Sequence, residues 1–163
     1  MEKLLRQKLS GGKFLNVNPA RSKTMSAIRG KNNKTTDRRL RMALIRHGIR
    51  GWSANPKNVS GSPDIYFPRK ATAIFVDGCF WHGCPMCGHI PKTRTSFWAT
   101  KIRRNKERDR KTNHELKSRL IKVVRIWEHQ LRSATQVNKV VNKIFPSLSI
   151  KNFPKVAKKS FAA

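Results

Sequence analysis

Two short runs of strand-forming residues, PDIYF at 63–67 and TAIFVD at 72–77, are separated only by a turn built on Pro68–Lys70. β-Branched and aromatic residues on both sides of a proline turn define a hairpin. The chain carries 37 Lys and Arg against 8 Asp and Glu, and only 37% of its residues are apolar. Few other segments can therefore build a core, and the fold has to be arranged around this hairpin. With 163 residues the chain is long enough for one domain with a real interior.

The remaining elements follow from periodicity. Leu40, Ala43, Leu44 and His47 recur at i, i+3, i+4 and i+7, which predicts a helix over 35–48. Thr35 or Thr36 can cap it, Asp37 sits in its first turn and Gly48 can end it. Residues 49–53 give a weak strand signal. Residues 95–119 are polar and helix-compatible, IKVVRIWE at 121–128 reads as a buried strand, and Val137, Val140, Val141 and Ile144 mark a last amphipathic helix. A short helix is expected over RSKTMSAIR at 21–29. The order α-β-β-β-loop-α-β-α makes this an α/β fold, a central mixed sheet flanked by helices. Residues 1–19, punctuated by Gly11, Gly12 and Pro19, read as a basic arm. Residues 20–132 form the main domain, and 133–163 add a C-terminal helix and a basic tail.

A formal charge of +29 repels itself unless a polyanion neutralises it. The partner this implies is nucleic acid, through release of phosphate counterions. Charge alone suits a purely structural basic protein as well as an enzyme. No apolar run is long enough to span a membrane, and the N-terminus lacks the apolar core of a signal peptide. Three cysteines within nine residues argue against a disulfide framework. They point to a reducing, cytoplasmic setting; an organelle or phage origin is compatible with the basic N-terminus.

In so basic a chain the carboxylates are informative. Asp64 begins one hairpin strand and Asp77 ends the other, so the two can lie side by side. Together they make a divalent-metal site of the kind Mg²⁺ uses, or else each merely caps a turn. Asp37 alone reads as a first-turn acid favoured by the helix dipole. Glu107 and Asp109 look like helix-surface ion pairs, and Glu128 is undecided. Cys79, Cys84 and Cys87, spaced C-x4-C-x2-C, form a zinc grip that needs a fourth ligand. His82, His89 and His129 are the candidates. Phe80 and Trp81 lie within this cysteine loop, where exposed aromatics beside a basic surface can wedge between bases.

Taken together, DGCFWHGCP at 77–85, the upstream Pro63-Asp64 pair, RTSFW at 94–98, NKERDR at 105–110, VRIWEH at 124–129 and RSKTMSAIR at 21–29 resemble the very short patch repair (Vsr) DNA mismatch endonucleases over residues 20–132. The resemblance implies a restriction-endonuclease-like fold of the PD-(D/E)xK superfamily, carrying a structural zinc site. It implies Mg²⁺-dependent nicking of one strand of double-stranded DNA next to a T:G mismatch, by a monomer. Asp64 is similar to the principal metal-binding aspartate of the family. Asp77 stands where members carry His or Asp, beside the backbone carbonyl of Val76, which also faces the metal. His82 is similar to the histidine assigned to the general base, and Asp37 to a position usually held by Glu. Cys79, Cys84, Cys87 and His129 match the zinc ligands. Phe80, Trp81 and Trp98 match the intercalating aromatics, Met25 a residue touching the opposite groove, and Lys92 and Arg94 the DNA-contacting segment before Trp98. The lysine that the nuclease superfamily often places two residues after its second acid is replaced by Cys79. A relative with another DNA specificity, and a zinc-containing DNA-binding protein without activity, are the alternatives.

Overall fold

A computed structural model of the chain describes residues 19, 20, 23 and 36–148. Met25, nearly all of the arm over 1–19, most of 21–29, Thr35 and the tail beyond residue 148 lie outside the described residues. Helix α1 (Asp37–Arg46) leads into strand β1 (Ser53–Ala54), β2 (Ile65–Phe67), a 3-10 turn (Pro68–Lys70) and β3 (Thr72–Asp77). The long helix α2 (Thr95–Ser118), β4 (Lys122–Trp127), a second 3-10 turn (Glu128–Leu131) and α3 (Ala134–Leu148) complete the order.

The sheet runs β1-β2-β3-β4. The expected hairpin is present, with Ile65 opposite Ile74 and Phe67 opposite Thr72. β1 is antiparallel to β2, whereas β4 lies parallel to β3, with Thr72 beside Lys122 and Asp77 beside Trp127. A parallel neighbour requires a crossover, which the cysteine loop and α2 supply. Because side chains alternate along a strand, β3 serves two interiors. Ile74 packs with Leu40, Leu44, Ile126, Val141 and Ile144, so α1 and α3 cover one face of the sheet together. Ala73 and Phe75 pack with Val59 and Leu116 under α2 on the other face. β3 is buried on both sides, which is why TAIFV reads as an unbroken apolar run. Asp77 falls on the α2 face, in step with Ala73 and Phe75.

Two local expectations change. Thr36 stands at the N-cap of α1 but makes no capping bond; its hydroxyl donates to Asp37 Oδ1 at 3.4 Å instead. The weak strand expected over 49–53 is displaced to Ser53–Ala54, because α1 ends in a Schellman turn. Gly48, at φ +69°, donates to the Ile45 carbonyl, and Ile49 to the Leu44 carbonyl. Ile49 is then driven into the core at 1% exposure, and Trp52 Nε1 donates back to its carbonyl. Backbone folded on itself in this way has no free groups for a sheet ladder.

Candidate active site and metal centre

The carboxylates at the C-terminal end of β3 are placed by the hairpin register. Asp64 immediately precedes β2, and its Oδ2 accepts the Val76 N–H at 2.7 Å, one residue from Asp77. Asp77 is 3% exposed, and a carboxylate so enclosed needs a counter-charge. Arg125, from the adjacent parallel strand, provides it: Nη1 donates to both oxygens of Asp77 at 2.7 and 2.8 Å. The guanidinium lies 4.8 Å from the centroid of the Phe75 ring, its neighbour in the register.

His82 completes this corner. Its Nδ1 is 2.6 Å from Asp109 Oδ2 and 3.8 Å from Asp77 Oδ1. Burial pushes the Asp109 carboxyl up. The hydrogen bond and charge of His82, with the charges of Arg125 and Arg108, outweigh burial and hold it below the usual carboxylate range. An ionised Asp109 only accepts, so Nδ1 of His82 is the donor in this pair. Arg125 Nη2 reaches Asp109 Oδ1 at 3.3 Å.

Asp109 is thus not the surface ion-pair residue its KERDR setting suggests. It projects from α2 with Asn105 and Asn113, each one turn away. Asn105 Nδ2 donates to the Trp81 carbonyl at 2.8 Å, and Asn113 Oδ1 accepts from Arg125 Nε at 3.1 Å. The signal was present in the spacing. Ile102, Asn105, Asp109, Asn113 and Leu116 form the one stripe free of Lys and Arg along α2, and such a stripe faces inward. Arg125 was legible only as a cation inside an otherwise apolar strand. Asp37 sits at the buried start of α1, held by Arg41 Nη2 at 2.7 Å.

Among the described residues, one group of His, Cys, Asp and Glu side chains converges as a metal site should: Cys79, Cys84, Cys87 and His129, with all four ligand atoms within 4.8 Å of one another. His129 Nδ1 lies 3.3, 3.6 and 3.4 Å from the sulfurs of Cys79, Cys84 and Cys87. A tetrahedral zinc with bonds of about 2.3 Å to sulfur and about 2.0 Å to nitrogen sets ligand atoms roughly 3.5–3.8 Å apart. Three thiols and an imidazole at these spacings fit that ion. Of the three histidines weighed as fourth ligand, His82 turns to Asp109, and His89 rests against Phe80 with ring centroids 5.7 Å apart. Burial, then hydrogen bonding and charge from Cys87 and charge from Cys84, push the Cys79 thiol up to about 12. Cys84 is lowered: burial raises it, but backbone hydrogen bonds at Cys87 and Met86, and those of the neighbouring thiols, outweigh burial. Glu128 Oε2 accepts the Cys79 N–H at 3.2 Å and ties the loop to the end of β4.

The loop presents its aromatics together. Phe80 packs edge-on against Trp81 and Trp98 at 5.0 and 5.3 Å, and Trp81 lies 6.0 Å from Trp98. All three remain half-buried, while Lys92 and Arg94 are exposed just before α2. Lys101 Nζ stands 5.6 Å from the Trp81 ring.

A mixed four-stranded sheet with carboxylates at the end of its central strands, a His–Asp pair beside them and a basic, aromatic rim defines the class of a DNA endonuclease. Comparison with known proteins agrees. The family model described as DNA mismatch endonuclease Vsr matches residues 16–87. The type II nicking enzyme V.NaeI of Lentzea aerocolonigenes is 40% identical over 118 residues, covering 70% of each chain. The DNA mismatch endonuclease Vsr of Escherichia coli (strain K12) is 35% identical over 114 residues, 69% of this chain and 71% of its own. A Neisseria meningitidis nicking enzyme, V.NmeAIP, is 37% identical over 126 residues, 76% of this chain and 88% of its own. The chain belongs to the Vsr family of DNA endonucleases.

Proposed function

We propose that this protein is a Mg²⁺-dependent endonuclease of restriction-endonuclease-like fold. It nicks one strand of duplex DNA at or next to a T:G mismatch, acting as a monomer in very short patch repair. The observation that carries this reading is the His82–Asp109 pair held beside Asp77, with His82 next in sequence to Trp81 of the Phe80–Trp81–Trp98 cluster. Asp64, Asp77 and the Val76 carbonyl would hold Mg²⁺, and Asp37 takes a catalytic role through the family position it occupies. When bound, that ion would neutralise charge on the scissile phosphate and leaving oxygen. His82, its Nδ1 anchored on Asp109, takes the proton of the attacking water through Nε2. Phe80, Trp81 and Trp98 enter the base stack, Lys92 and Arg94 grip phosphates, and Met25 reaches the opposite groove. A mismatched step is already weakly stacked, so opening it costs less than opening a paired step, and that difference selects the target. Zinc on Cys79, Cys84, Cys87 and His129 is structural, keeping Phe80, Trp81 and His82 on one rigid loop.

The test is a nicking assay on a T:G duplex, its matched counterpart and the other mismatches, with and without Mg²⁺. Asp64→Ala should lower nicking by about a thousandfold, the scale of losing several kcal/mol of charge stabilisation, while DNA is still bound. Undiminished nicking by that variant overturns the assignment. Several relatives are named type II nicking enzymes, which favours a second reading: nicking at a different DNA target. Faster cleavage of a substrate other than T:G in the same panel would select it.

A further inference from the structure

His82 has two carboxylates to choose from. Asp109 lies at 2.6 Å and Asp77 at 3.8 Å from the same nitrogen, Nδ1. Asp77 is the more enclosed, its side chain 4% exposed against 19% for Asp109. A desolvated carboxylate gains more from a donor than a wetter one, so Asp77 should be the stronger competitor for the imidazole. It is not the partner because Arg125 has already satisfied both of its oxygens.

We propose that Arg125 is the positioning residue of this site, which directs His82 to Asp109 by occupying Asp77. The inference rests on the reading above that His82 carries the proton, and it adds the reason why the imidazole points as it does. All three guanidinium nitrogens are used: Nη1 on Asp77, Nη2 on Asp109 and Nε on Asn113. The cation therefore bridges the end of β3 to the middle of α2. Its Nη2 lies 3.3 Å from Asp109 Oδ1, the oxygen that His82 does not use. With its nitrogens committed and its face on Phe75, Arg125 is not available to grip a phosphate; it acts through Asp77 and Asp109. A lysine at this position would bring its donors on a single nitrogen in place of a planar fork, and could not span acceptors that three separate guanidinium nitrogens reach.

The experiment reads the imidazole directly in the full-length chain labelled with ¹⁵N-histidine, without DNA or Mg²⁺. Long-range ¹H–¹⁵N spectra should show wild-type His82 as a single species protonated on Nδ1. In Arg125→Met and Arg125→Lys the His82 nitrogens should shift as the ring divides between Asp77 and Asp109, while the His47 signals stay in place and report an intact fold. Adding Asp77→Asn to Arg125→Met removes the competitor and should return His82 to its wild-type signals, a rescue that a merely structural arginine would not produce. In nicking assays Arg125→Lys should lower kcat by about tenfold or more, with KM changed by less than about threefold. His82 signals unmoved in both single variants, or unrestored in the double variant, overturn the proposal. A wild-type protein that nicks no substrate overturns the functional reading instead, and the spectra still decide the role of Arg125.

Discussion

Gly83 lies where the cysteine loop packs against α2, and replacing it by alanine tests how tightly the loop is seated. Its φ is +60°, in the left-handed region. A Cβ there would lie 2.5 Å from Lys106 Cε and 2.8 Å from Ile102 Cγ2. Two penalties add. A left-handed backbone costs a non-glycine residue about 1–2 kcal/mol. The contact contributes a second amount. Lys106 is exposed and can swing aside, but Ile102 is 7% exposed and branched at Cβ, so α2 or the loop has to yield. Overpacking of that kind typically costs about 1–3 kcal/mol. Gly83→Ala should thus destabilise by about 2–5 kcal/mol, the sum of those two ranges. Gly51 is the internal control, since its φ is +79° but nothing stands within 4 Å of the added Cβ. Gly51→Ala should show the backbone penalty alone, about 1–2 kcal/mol. Equilibrium urea unfolding measures both as midpoint shifts at constant slope. Equal losses in the two variants would refute close seating of the loop on α2. Adding Lys106→Ala to Gly83→Ala should recover little, because Ile102 forms the wall.

Zinc added to metal-stripped protein at neutral pH should release about three protons per ion, as three thiols become thiolates. A pH indicator reads this, and release of fewer than one would sink the three-thiolate site. Cys87→Ser should lower the zinc content and the stability together; a fully folded, zinc-free variant argues against a structural ion. Asp109 has a depressed pKa when folded, so its contribution to stability is present above the unfolded value of about 3.9 and is lost as pH falls through the folded value. The stability gap between wild type and Asp109→Asn should therefore be full at neutral pH and close in acid below about pH 4; a gap unchanged down to pH 2 contradicts the ion pairing. Leu44→Ala, at a site 0% exposed between α1 and the sheet, should cost about 2–5 kcal/mol. A loss under about 1 kcal/mol would mean that the core there collapses around the gap.

The elements with strong local signals were legible before any coordinates. TAIFVD and IKVVRIWE are strands because their apolar runs suit a sheet covered on both faces, and Leu40, Ala43 and Leu44 carry the period of α1. The weak strand over 49–53 shifted because a chain reversal at Gly48 consumes the backbone groups a ladder would use. Within the site, the cysteine spacing and the acid at each end of the hairpin were visible. Asp109 and Arg125 were not, because what each does depends on how α2 lies across β3 and β4. KERDR has the i,i+4 pattern of solvated ion pairs whether or not one face is covered. The stripe on α2 carries the sign that Asp109 faces inward, but only the tertiary crossover shows that it meets His82, 27 positions away in sequence. Arg125 likewise becomes intelligible through the register that sets it beside Phe75.

That register also determines what an ion on the four ligands would enclose. Asp77 and Trp127 are side by side on parallel strands, and Cys79 and His129 each lie two residues further along. They are 50 positions apart in sequence and adjacent in space. An ion gripping both fastens the exit of one strand to the exit of the next and closes the crossover into a ring. Cross-linking a loop of that length reduces the conformational freedom of the unfolded chain by an amount equivalent to about 4 kcal/mol. His82, the three aromatics, Asp109 and Arg125 all lie inside the ring, while Asp64 is attached from outside it through the hairpin. Releasing the ion should therefore loosen His82, the aromatics, Asp109 and Arg125 as one unit and leave the hairpin register in place.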